Sequence, residues 1–200
     1  MNRITKVLIA LVLVAAIIVA VVSLTKKEKK VVVGIVQIVN HKALDAAREG
    51  FLRALAEDGY KDGKNITVDY RNAQGSQDTL SSIASYFVGQ GVDLILAIAT
   101  PSAQAVAAKT DTIPILGTAI TDYVEAKLAK SNEAPGYNVS GTTDMNPVEA
   151  QVGMIVRLVP GVRTIGLIYT ASEVNSQMQA RLAKEEIQRL GLAWKEITVN

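Results

Sequence analysis

From residue 31 onward, apolar runs of strand length alternate with helix-patterned stretches, and this rhythm restricts the chain more than any other feature. VVVGIVQIV (31–39) reads as a buried strand, and LDAAREGFLRALAEDG then puts Leu44, Ala47, Phe51, Leu52 and Leu55 on one helical face. Gly59 supplies the left-handed stop. NITVDYR (65–71) alternates as a strand, and SQDTLSSIASYFVGQG stripes Leu80, Ile83, Ala84, Phe87 and Val88 along a second helix. VDLILAIA (92–99) predicts a third strand, a helix starting near Pro101 follows, and TIPILGTA (112–119) predicts a fourth strand. Such alternation signals a parallel sheet covered on both faces. NVSGTT (138–143) reads as a short extended crossing into a second run of the same rhythm. There a helix turns Val148, Val152, Ile155, Val156 and Val159 inward, VRTIGLIY (162–169) forms a strand, and Ala180, Ala183, Ile187 and Leu190 stripe another helix before LAWKEITVN. The expected organisation is a first α/β lobe over 31–143 and the beginning of a second, incomplete lobe over 144–200.

The first thirty residues stand apart. MNRITK is positively charged, VLIALVLVAAIIVAVVSL (7–24) carries no charge, and TKKEKK follows. An apolar run of this length suffices to cross a bilayer, so residues 1–30 read as a signal peptide or membrane anchor. Lysines 26, 27, 29 and 30 outweigh Arg3 and Lys6, which by charge alone would leave the globular part cytoplasmic. Outside residues 1–24 the chain has 19 basic and 19 acidic residues, since Arg3 and Lys6 account for two of the 21 basic ones. Nucleic acid is therefore not an expected partner. The absence of cysteine excludes disulfides, thiol catalysis, thiolate metal sites and a lipidated N-terminal cysteine.

In open parallel sheets ligands sit outside the carboxyl ends of the strands. Here those ends share a chemistry: Asn40-His41, Thr100-Pro101-Ser102, Thr118 to Asp122, and Thr170 to Ser176. Short hydroxyls beside free helix N–H groups suit a carboxylate or phosphate, because the helix dipole adds positive potential where the donors point. Thr100 is also placed to cap the helix that Pro101 begins. Asp122 and Glu173 complement an ammonium group, so the combined chemistry suits a zwitterion. His41, the only histidine, reads as a capping or ligand-stacking residue, and it leaves no multi-histidine metal site and no Ser-His-Asp triad. GYKDGKN (59–65) has the wrong spacing and context for a phosphate loop, and no G-x-G-x-x-G follows a strand.

VGIVQIVNHKALDAAREGF, GYKDGKNITVDYRNAQG, AIATPSAQA, TAITD and IYTASEVNS, in this order and spacing, resemble the substrate-binding proteins of ABC transporters. The resemblance spans residues 31–200 and lies with the type I periplasmic-binding branch associated with tryptophan, phenylalanine and tyrosine. It implies two lobes clamping an amino acid, with contacts from His41, Thr100, Ser102, Thr118, Thr121, Asp122, Asn175 and Ser176, and a contribution from Asp144 near the crossing. It also implies delivery to a permease and ATPase, an extracytoplasmic location, no cofactor and no catalysis. Proline usually follows the aspartate of the TAITD segment in that family; Tyr123 stands here and adds an aromatic surface or reshapes that wall. The competing readings are a membrane-tethered sensor domain and an enzyme on a flavodoxin-like sheet, with Asp122 and Glu173 as acid and base.

Overall fold

The computed structural model describes residues 30–199. The signal peptide or anchor expected over 1–30 lies almost wholly outside them; among the described residues no helix is long and apolar enough to cross a membrane. The elements run β1 (Val31–Gln37), α1 (Lys42–Glu57), β2 (Ile66–Asn72), α2 (Gln77–Gln90), β3 (Leu94–Ile98), α3 (Thr100–Ala107), β4 (Ile115–Ile120), β5 (Val139–Thr143), α4 (Val148–Leu158), β6 (Thr164–Thr170), α5 (Val174–Arg189) and β7 (Ala193–Val199). One sheet has five strands in the order β2-β1-β3-β4-β5, and β6 with β7 forms a second. Every pairing is parallel. NVSGTT thus contributes a fifth strand to the larger sheet besides serving as the crossing.

Two-residue periodicity decides which side chain enters which layer. Val33, Ile35, Leu96 and Ile98 project to one face, where Leu44, Phe51 and Leu52 of α1 cover them. Val36, Ile95 and Ala97 project to the other, against Leu80, Ile83, Phe87, Ala103 and Val106 of α2 and α3. Phe87 is fully buried, and a Cβ on Gly34 would meet its ring at 3.1 Å. That glycine lets α2 lie close on β1. Burial of a side chain this size is worth about 2–3 kcal/mol.

The smaller sheet is covered on one side. Val148, Val152, Ile165, Ala183 and Ile187 form its core. Of the five residues expected inward on α4, only Val148 and Val152 are fully buried, whereas Ile155 and Val159 are exposed. Two strands and α5 offer too narrow a surface to cover the whole apolar stripe of this helix. The outer face of the pair leaves Ile168 and Ile197 exposed.

Candidate functional site

The end of β3 has a strained backbone. Ala99 has φ 78° and ψ 153°, a region occupied almost solely by glycine and costing about 1–3 kcal/mol for other residues. The turn places Thr100 already inside α3, with Ala99 at the cap position and no side-chain cap hydrogen bond. The cap expected from Thr100 is therefore not made. Its hydroxyl is buried, as is that of Ser102, and neither has a hydrogen-bond partner. The remaining buried side-chain polar atom without a partner among the described residues is Asn175 Oδ1, at the start of α5. An unpaired buried group of this kind costs about 1–3 kcal/mol. All three belong to strand ends that the sequence singles out.

Other expected residues are engaged within the fold. His41 caps α1, its Nδ1 accepting the Ala43 N–H at 3.3 Å, which puts the proton of the neutral ring on Nε2. Thr118 Oγ1 accepts from Thr142 Oγ1 at 3.3 Å and lines a hollow of about 300 Å³ with Ala47, Phe51 and Leu116. Ser176 Oγ accepts the Thr170 N–H at 3.0 Å and lines a different hollow, of about 340 Å³, beside Val148 and Leu167. These two residues do not share a cavity. The carbonyl of buried Thr121 accepts from Thr143 Oγ1 at 2.7 Å. Asp122 Oδ1 accepts the Glu125 N–H at 2.7 Å. Glu173 occupies the α5 cap position without a capping bond. Asp144 is exposed, and its N–H donates to the Ile120 carbonyl at 3.0 Å.

α5 touches the core beneath the larger sheet and the loops after β4 and β5. Val174 packs against the core cluster of that sheet. Arg181 pairs with Glu125 at 3.3 Å, and Asn146 Nδ2 donates to Gln179 at 3.3 Å. A hollow of about 550 Å³ beside this contact is lined by Glu125, Tyr169, Met178, Arg181 and Trp194, and by none of the expected site residues. Among the described residues no cluster of His, Asp or Glu could hold a metal ion.

Sequence reading missed two supports of the site. Gln37 is fully buried; its Nε2 donates to the Val39 carbonyl at 2.8 Å and to Asp45 at 2.9 Å, and its Oε1 accepts from Arg48 at 3.2 Å. This network holds the loop that presents Asn40 and His41. A lone amide within VVVGIVQIV is the signal that would have revealed it. Ala99 carries no such signal, since alanine is an ordinary strand or helix residue.

A five-stranded parallel sheet joined to a second βαβ layer matches the type I periplasmic-binding fold. The chain belongs to the family of ABC transporter substrate-binding proteins, whose profile matches residues 32–200. It is 51% identical over 155 residues to a tyrosine-binding protein of Clostridioides difficile, covering 78% of this chain and 44% of that one. An ABC domain in complex with L-Trp from Streptococcus pneumoniae is 38% identical with a TM-score of 0.81, covering 86% of this chain and 58% of that one. The ligand-free, open structure of a substrate-binding protein with adhesive properties from Clostridium difficile is 46% identical with a TM-score of 0.65, covering 84% and 57%. The chain thus spans about half the length of these relatives.

Proposed function

We propose that this chain captures an aromatic amino acid outside the cytoplasmic membrane and presents it to an ABC permease, without covalent chemistry. The observation that carries this reading is the set of buried oxygens without partners, on Thr100, Ser102 and Asn175. Folding alone gives no return for leaving them unpaired, whereas a polar ligand does. In this reading the amino-acid carboxylate meets the Thr100 and Ser102 hydroxyls and the first N–H groups of α3, which lack a capping side chain. Asp122, Asp144 and Glu173 supply negative charge for the ammonium group, and Asn175 reaches the ligand from α5. His41 stands at the rim. Thr118, Thr121 and Ser176 serve by shaping the strand ends.

The mechanism is reversible closure of a first lobe, 31–143, against the beginning of a second, 144–200, about the crossing at residues 138–146. The higher structural similarity to the L-Trp complex than to the open relative, despite lower sequence identity, favours a closed arrangement here. The contact of Val174 with the larger core and the Glu125–Arg181 pair belong to that arrangement. Closure excludes water and strengthens the ligand's hydrogen bonds. The tyrosine-binding and tryptophan-bound relatives support the aromatic class. Residues 7–24, outside the described residues, would tether the protein or direct its export.

Thermal unfolding of the full chain with each of the twenty L-amino acids tests this reading. L-Trp, L-Tyr or L-Phe at a hundred times its Kd should stabilise the fold by about 2.7 kcal/mol. If none of the twenty shifts the midpoint, the proposal fails.

A further inference from the structure

We infer that Tyr123 is a positioning residue: its phenol bridges a break between β4 and β5 and thereby sets the path of the strand end Thr118–Asp122. The link to ligand binding rests on the function proposed above. The shape of the strand end does not.

The β4–β5 ladder is regular from Ile115 opposite Val139 to Gly117 opposite Gly141, and it resumes with Ile120 opposite Thr143. Three steps on β4 therefore face two on β5, and the extra residue makes a bulge in which Ala119 takes φ 55°. A bulge leaves backbone groups without their ladder partners. The Tyr123 hydroxyl fills that role, donating to the Gly117 carbonyl at 2.8 Å with the Thr142 carbonyl at 3.2 Å as a second acceptor. Two side-chain hydroxyls thus join the strands within the break, the phenol and Thr142 Oγ1, which donates to Thr118 Oγ1 at 3.3 Å.

The sequence makes room for it on both sides. A Cβ on Gly117 would lie 2.5 Å from the phenol oxygen, and one on Gly141 would collide with that oxygen and with the Gly117 carbonyl. The ring is buried and packs in the main core with Ala126, Leu128 and Ala129. Its backbone is held too, since the Tyr123 carbonyl accepts from the Leu128 and Ala129 N–H groups at 2.8 and 3.1 Å. Beyond the phenol, Asp144 N–H to Ile120 and Thr143 Oγ1 to Thr121 continue the bridging toward the crossing. The phenol lies at the start of these ties, where the regular ladder ends.

Y123F keeps the ring and deletes the proton donor. Native-state hydrogen exchange should show the Asp144 N–H exchanging up to about tenfold faster, the size expected for loss of one hydrogen bond, while Ile95 and Ile115 stay protected. Affinity for L-Trp or L-Tyr should fall by a similar factor, again about tenfold at most. Unchanged exchange at Asp144, or faster exchange everywhere alike, overturns the inference. So does a local change in exchange with no change in affinity for an amino acid that the parent chain binds. If the parent chain binds none, the proposed function fails and the exchange pattern alone decides the role of Tyr123. Should Y123F not fold, native-state exchange of the unsubstituted chain decides instead: the Asp144 N–H must be protected well beyond a solvent-exposed loop amide, and exchange at the rate of an unfolded chain overturns the inference.

Discussion

Thr100 and Ser102 hold hydroxyls where a folded chain would ordinarily hold methyl groups, so stability and binding should move in opposite directions when they are changed. Thr100→Val keeps the shape and removes the unpaired oxygen. The free protein should gain about 1 kcal/mol, read by denaturant unfolding, while affinity for an aromatic amino acid falls at least tenfold by titration calorimetry. Ala99→Gly should likewise stabilise the fold, by about 1 kcal/mol, because glycine adopts this backbone without a Cβ penalty. Tyr123 adds a pH effect. Burial first, and the charge of Asp144 second, push its phenol up from 10.0 to about 12. A proton held more tightly in the folded state stabilises it fully below pH 10, and that contribution is lost as pH rises through about 12. The unfolding free energy of the parent chain should therefore fall more steeply than that of Y123F over this interval.

Among the elements, those whose partners lie close in sequence were legible. Of the α2 stripe, Leu80, Ile83, Ala84 and Phe87 are buried and Val88 is half-buried, and Gly59 and Gly91 end their helices in left-handed conformations. β5 was read mainly as a crossing because only Val139 of its five residues is buried; its pairing is fixed by β4 and Tyr123, which local pattern does not contain. α4 failed in the opposite sense, showing an apolar stripe wider than the surface it meets. At the site, sequence identified the strand ends whose polar atoms are left unpaired, but not that Thr118 and Ser176 would be used by neighbouring strands and loops. Hydroxyl direction depends on tertiary partners. The contact between α5 and the loop after β4 is mostly polar and exposed, so Glu125→Ala or Arg181→Ala should cost only about 0.2–1 kcal/mol, and the difference should shrink at high salt.

For the whole molecule, the proposed function predicts a ligand-dependent balance between closed and open arrangements. If ligand selects the closed one, small-angle scattering should show the radius of gyration decreasing on addition of L-Trp or L-Tyr, and Arg181→Ala should expand the free protein more than the liganded one. An identical radius with and without ligand would argue for a rigid receptor. Glu125 and Arg181 also stand in a chain without a single cysteine, and both reach solvent. Thiols introduced at these two positions would be the only ones present, so a fluorophore pair or a cross-link could be installed there without protecting any other site. Under the proposed function, the ion pair thereby marks the place where ligand capture can be converted into an optical signal.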